Sequence, residues 1–291
     1  TPLVNAVVLS GFALAHAGDA RAHEEHLLPL LRGDRRYATC LTGPSGFAPP
    51  GGVAVRATRS GDGWRLTGSA CFVPYAASAD VFLVLATSER GHTLLAVDAA
   101  TRGLHLRALP TLGGDRQGRI RFADVALPRS AVIGAPETAW DTLRPALDRA
   151  LVVQCADLLG AAEAAMRYAV AWVTTREQWG VPLGTFQAVQ HRCADMFTDV
   201  TLCRDAVAEA AQLYGTGAES ATTASALKAF CAPRCRRVSA SAHQLGGGEG
   251  IHADVPLHLW YRRIKAAEPA LGGPRHHRAR VAEALLGRTP R

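Results

Sequence analysis

No stretch of this chain is apolar for long enough to span a bilayer. The best candidate, Leu3 to Ala15, is short and interrupted and has no positively charged lead, so it reads as a buried helix rather than a signal peptide. No internal repeat and no low-complexity tract appears, which argues against a repeat array. Cysteines number only seven, dispersed and odd, which argues against a disulfide framework and for a reducing cytoplasm. Cys231 and Cys235 lie one helical turn apart, but no second ligand pair stands at zinc spacing, so no metal site is expected. Helix-turn-helix, zinc-finger and RNA-binding signatures are absent, and no nucleic-acid partner is expected. The first residue is Thr1 rather than Met, so the sequence is expected to begin inside, or after trimming of, a longer product.

What is present is 291 residues with 48% hydrophobic and 20% charged content, a soluble globular composition. The net charge is +7 and the pI near 9.3, with small basic clusters at Arg234 to Arg237 and Arg275 to Arg280. A phosphate-bearing partner, such as a nucleotide or coenzyme A, suits that balance. His276 and His277 are expected to face solvent on the last helix.

Periodicity divides the chain into three stretches. Helix-spaced apolar positions run over Leu3–Ala17 and Ala22–Leu31, broken by Gly18-Asp19. From Thr39 to about Ile133 the period becomes two, with turn signals between the runs. These runs are Val53–Arg59 and Trp64–Val73 (a hairpin across Gly61-Asp62-Gly63), Val81–Ala86, Thr93–Val97, Leu104–Leu109 and Arg119–Val125. Strands so evenly spaced, with no helices between them, predict a small antiparallel barrel or sandwich. Helices are predicted over Ala139–Arg176, Thr185–Tyr214, Ala218–His243, Val255–Ala267 and Pro274–Leu286. The fold class is therefore α+β, divided as residues 1–36, 37–134 and 135–291: a partial helical region, a β-domain and a C-terminal four-helix bundle with an added helix.

One segment concentrates chemistry. In Arg176-Glu177-Gln178-Trp179-Gly180, continuing through Pro182, Leu183, Phe186, Gln187 and His191 to Met196, a long helix is broken by Gly180 and Pro182. Guanidinium and amide groups gathered at such a corner suit phosphate oxygens, and Trp179 or Phe186 offers a flat apolar face. An ordinary capped corner between two core helices is the plainer alternative.

This corner resembles the flavin-contacting R-x-x-F-G-x-x-L-x-x-F-Q segment of the acyl-CoA dehydrogenase family. Gln244-Leu245-Gly246-Gly247-Gly248-Glu249-Gly250, followed by Pro256 and Arg262 to Lys265, is similar to that family's Q-x-x-G-G-x-G loop and the helix after it. Phe122-Ala123-Asp124-Val125-Ala126-Leu127-Pro128, ending at Gly134, resembles the strand that leaves its β-domain. The three occur in family order at family spacing, covering residues from about 37 to 287. The resemblance implies FAD as cofactor, α,β-dehydrogenation of an acyl-CoA, and cofactor contacts from Arg176, Gln178, Trp179, Phe186, Gln187, Gln244, Gly247 and Gly248. It also implies that only the last two helices of the family's N-terminal helical domain are present.

The same resemblance exposes what is missing. A flavin accepts hydride in this family while a Glu removes the α-proton. Its two usual positions are occupied by Leu271 and Ala150, neither of which takes a proton, so no catalytic residue is assigned. Asp148, Glu249 and Glu268 lie nearby in sequence, but each reads first as a surface or capping carboxylate; Asp148 is displaced by about 200° around a helix. The family's T-E-P turn is Thr42-Gly43-Pro44, and its small polar turn has become Gly46-Phe47-Ala48-Pro49-Pro50. Proline has no N–H to donate, which weakens an amide-lined nest. The ring-side W-I-T/S reads Phe72-Val73-Pro74, keeping an aromatic and losing the hydroxyl.

A chain that keeps the donated clamp but loses its own ring site is expected to complete a partner's site. The expectation is a non-catalytic subunit of a heteromeric acyl-CoA dehydrogenase, an α2β2 assembly or dimer. FAD would be shared with a homologous subunit carrying the catalytic Glu, and the substrate would be a bulky acyl-CoA such as a steroid side chain. A self-sufficient flavoenzyme with a displaced base or monooxygenase chemistry, and a flavin-free scaffold, remain the alternatives.

Overall fold

The computed structural model describes residues 3–220 and 222–287. The chain divides into two compact units: residues 1–111 with 115–150, and residues 112–114 with 151–291.

The first unit opens with a wide-pitched helical turn, Leu3–Leu9, leading into α1 (Ser10–Ala17). Gly18-Asp19 ends α1 as the sequence predicts, and Asp19 accepts the Ala22 amide at 2.9 Å, capping α2 (Ala20–Ala22). A second wide turn, His23–Leu27, leads into α3 (Leu28–Arg32), closed by Gly33 at φ 79°. Seven strands then form one sheet: β1 (Tyr37–Cys40), β2 (Val55–Ser60), β3 (Gly63–Pro74), β4 (Val81–Thr87), β5 (His92–Asp98), β6 (Leu104–Leu109) and β7 (Gln117–Leu127). The strand order is β1-β4-β2-β3-β7-β6, with β5 paired to β4. The predicted hairpins are antiparallel, but β1 pairs parallel to β4 from Tyr37↔Val81 to Cys40↔Val84. β1 follows the helices and enters by a crossover rather than a tight turn, so it is free to run parallel.

The apolar positions of these strands meet in one core that includes Leu66, Phe82, Val84, Leu95, Ile120, Phe122 and Val125. β3 slips register against β7 between Leu66 and Gly68 and again between Ala70 and Val73. At the first slip Gly68 has φ 113°, and a Cβ there would lie 2.2 Å from the Ala54 carbonyl oxygen, so no other residue fits.

Helix α4 (Ala139–Thr175) belongs to the first unit as far as Ala150 and to the second from Leu151. The second unit adds a two-residue hairpin, β8 (Glu177–Gln178) and β9 (Val181–Pro182), then α5 (Gln187–Thr216), α6 (Thr223–Gly246), α7 (Leu257–Ala267) and α8 (Pro274–Leu286). α6 packs against α5, α7 and α8. The shared core runs from Leu151, Leu158 and Ala162 of α4 through Met196 and Val200 of α5 and Leu227 and Val238 of α6 to Leu257 and Ile264 of α7. The predicted start of α6 at Ala218 is five residues early. The Thr223 hydroxyl accepts the Ser220 amide at 2.9 Å and bonds the Ser220 hydroxyl at 2.9 Å, holding a non-helical lead-in. Among the described residues no helix is long and apolar enough to cross a membrane.

Candidate functional site

The Arg176 corner is more structured than a simple helix break. Trp179 and Gly180 both have positive φ, 54° and 77°, and form the turn of the β8–β9 hairpin, where Glu177 pairs with Pro182 and Gln178 with Val181. The Leu183 amide donates to the Arg176 carbonyl at 2.8 Å, closing the hairpin onto the end of α4. Trp179 stands edge-on to Phe186 with ring centroids 5.6 Å apart, and it is 83% exposed. Gln178 and Gln187 are also exposed, Gln187 as the first residue of α5. The corner therefore presents an aromatic pair, two amides and a guanidinium to solvent.

The glycine loop lies against that corner. The Arg176 Nη2 is 3.2 Å from the Glu249 Oε1, and the guanidinium carbon lies 5.6 Å from the centre of the Trp172 ring. This one ion pair joins two motifs separated by 73 positions in sequence. Gln244 is exposed near the end of α6, and Gly247 terminates that helix at φ 56°. A Cβ on Gly247 or Gly248 would meet nothing within 4 Å, so open space adjoins the loop. An exposed arginine, primary amides, an aromatic face and bare loop backbone form a donor set that fits the phosphate and adenosine portions of a dinucleotide. Glu249 is the one discordant group, because a phosphate would have to replace it at Arg176. Further along α5 and α6, His191, Arg192, Asp195, Asp199, Arg237 and Ser241 line a cavity of about 710 Å³.

The positions expected for a base are apolar here, and Glu268, the carboxylate nearest Leu271 in sequence, is engaged. Leu271 is partly buried against the helical core with φ 57°, followed by Gly272 at φ 103°. Its carbonyl lies 3.2 Å from the His277 Nε2, and the His277 Nδ1 lies 3.1 Å from the Ser225 hydroxyl. A neutral imidazole that donates from Nε2 and accepts at Nδ1 satisfies both. The expectation that His277 faces solvent is wrong: it is fully buried, and desolvation pushes its pKa down to about 3, with His276 and Lys228 adding to the effect. His276 is only half-buried. Glu268 accepts from Arg236 at 3.1 Å and from Lys265 at 3.3 Å, so it is held in two ion pairs. Ala150, in the first unit, is fully buried.

Sequence reasoning missed Lys228. It is fully buried, and its Nζ donates to the Gln154 Oε1 at 2.5 Å and to the Ala267 carbonyl at 2.6 Å. Burial pushes its pKa down to about 8. It ties α6 to α4 and to the end of α7. The buried thiols were also under-read: Cys155, Cys203, Cys231 and Cys235 share the core. Among the described residues no group of three or more His, Cys, Asp or Glu can hold a metal ion.

In the first unit Phe72-Val73-Pro74 stands where the resemblance implies a ring-side hydroxyl. At the second β3 bulge Phe72 has φ 57° and is 49% exposed, while Pro74 pairs with Gln117 at the strand's end. The turn from Gly43 to Gly52 closes on itself, with the Gly43 amide donating to Gly52 at 2.7 Å and the Gly52 amide to Ala48 at 3.1 Å. Proline and an exposed phenylalanine give this segment no hydroxyl donor for a flavin ring.

A family model described as "Acyl-CoA dehydrogenase, C-terminal domain" matches residues 140–286. The chain is 30% identical over 293 aligned residues to the acyl-CoA dehydrogenase FadE27 of Mycobacterium tuberculosis, covering 98% of this chain and 76% of that protein. The crystal structure of the ChsE4–ChsE5 complex from Mycobacterium tuberculosis superposes with a TM-score of 0.88 at 29% identity, over 100% of this chain and 77% of that one. A glutaryl-CoA dehydrogenase from Mycobacterium smegmatis in complex with FADH2 matches with a TM-score of 0.92 at 22% identity, over 99% of this chain and 75% of that one, a likeness of fold.

Proposed function

This chain belongs to the acyl-CoA dehydrogenase family, and from that premise we propose that it is a subunit without its own catalytic base that completes the FAD site of a homologous partner. One observation supports the reading: Leu271, counted as the family's base position, is aliphatic, while Arg176 and the glycine loop meet through the Arg176–Glu249 ion pair with their donors otherwise exposed. When bound, FAD supplies the hydride acceptor. This chain's contribution is positional. Arg176, Gln178 and Gln187 would hold the diphosphate, Trp179 and Phe186 would flank it, and Gln244, Gly247 and Gly248 would meet the adenosine side. The α-proton would leave to a Glu of the partner subunit. Asp148 is buried rather than at the surface as expected, and the proposal gives it no role in proton transfer, because a carboxylate two places from Ala150 points to another side of the helix.

The ChsE4–ChsE5 complex supports pairing between different chains in this family. An α2β2 or dimeric assembly, an acyl-CoA substrate as bulky as a steroid side chain, and a cytoplasmic setting suited to seven free thiols belong to the same reading. The Arg176–Glu249 ion pair favours one rival, a flavin-free scaffold in which Glu249 keeps the guanidinium neutralised. A displaced base is disfavoured, since Glu268 is held by Arg236 and Lys265.

The absorbance spectrum of the purified chain, alone and with its genomic neighbour, tests this. The proposal expects flavin colour only in the complex. Stoichiometric flavin in the lone chain favours a self-sufficient enzyme, and a colourless complex favours the scaffold.

A further inference from the structure

The outer ribbon of the sheet carries an arrangement that the proposed flavin chemistry does not use. β6 is an edge strand, paired only with β7 among the described strands. On one face of the ribbon His105 stands directly opposite Arg121, and Arg107 directly opposite Arg119. All four are exposed. Among the described residues none of the four forms an ion pair. The two acids of β7 and its turn are committed elsewhere, Asp124 to Arg65 at 2.5 Å and Asp115 to Gln117 at 2.5 Å. Like charges facing each other across a ladder destabilise a sheet. An unpaired edge is also a template for another strand, and cations there normally serve to repel one.

These features fit one occupant. Cations on alternate residues repeat about every 6.6–6.8 Å along a strand, the spacing of same-face side chains on a paired extended peptide. We propose that the β6–β7 ribbon docks an acidic, extended segment of another protein, which adds as a strand to the free edge of β6 with alternate carboxylates set against Arg107, Arg119, His105 and Arg121. The backbone groups of β6 supply affinity, and the cation row selects an acidic sequence.

The test uses the full chain and a fluorescein-labelled peptide alternating Glu and Val over seven residues, followed by anisotropy at low ionic strength. The expected result is binding that weakens with salt, with slowed hydrogen exchange at the β6 amides. In the double variant Arg107→Ser/Arg119→Ser, the directly opposed pair at Arg107 and the more distant attraction of Arg119 are lost, and affinity should fall by at least roughly 1.5- to 5-fold. The thermal midpoint should stay level or rise, because a like-charge pair has been removed. His105→Ser gives a second, milder variant for the same readouts. Unchanged affinity in the variants, unprotected β6 amides, or equal binding of a control peptide alternating Lys and Val over the same seven residues would overturn the proposal. So would displacement of the peptide by inorganic phosphate or by oligo-dT at matching concentration, which would reassign the ribbon to phosphate groups.

Discussion

Lys228 offers a stability measurement whose sign and size follow from its surroundings. An unfolded lysine titrates near 10.5, whereas burial holds Lys228 down to about 8. Below both values the native state carries a buried charge; above both, neither state is charged. Between them only the unfolded chain binds the proton, so stability rises with pH. A difference of this size amounts to about 3 kcal/mol in all, of which about 2 kcal/mol should appear between pH 7.5 and 10. Lys228→Met fills similar volume without a titrating group. It also strands the Gln154 and Ala267 oxygens that now accept at 2.5 and 2.6 Å, so the variant should be about 1–3 kcal/mol less stable near neutral pH. The assay is urea unfolding of wild type and variant at both pH values. Tyrosines titrate in the same window, but they cancel in the difference between the two proteins. A variant that keeps the full alkaline gain, or a wild type that gains nothing relative to it, would refute the buried-charge account.

Three further outcomes follow from the same geometry. His277, held down to about 3 by burial, contributes stability that is present above about pH 6.5 and lost as pH falls toward 3. His277→Leu should flatten that acid limb in urea titrations at pH 6.5 and 4.5. Glu249→Ala removes the carboxylate that competes for Arg176, so flavin retention by the complex in gel filtration should improve; unchanged retention would separate the ion pair from cofactor binding. Leu271→Glu in the lone chain should give no acyl-CoA turnover in a dye-reduction assay, because on the proposed reading Pro74 and the exposed Phe72 would leave the ring side without its donor.

How much of this was legible in the sequence depended on whether a residue's role is written in local pattern. The strands and long helices were, because alternation and 3.6-residue spacing record one buried face. Gly180 and Pro182 marked the corner, yet the β8–β9 hairpin was invisible, since two-residue strands carry no periodicity. The contact between Arg176 and Glu249 is long-range and left no signal beyond the two motifs themselves. His277 read as a surface residue by polarity and Lys228 drew no reading, because their burial depends on partners 52 and 74 positions away, Ser225 and Gln154. The proposal that a base is missing rests only on the resemblance, since nothing in the spacing around Leu271 says that a carboxylate should stand there.

The central claim is that Arg176 serves a flavin whose chemistry belongs to another subunit. A hydrogen bond from a charged donor contributes about 1.5–3 kcal/mol, or roughly ten- to hundredfold in affinity. Flavin content and complex size, measured on one sample of the assembled complex carrying Arg176→Ala, test this directly. The predicted result is FAD lost on dilution from a complex of unchanged size. A complex that keeps FAD with wild-type affinity would contradict it and reduce the Arg176 corner to a helix junction.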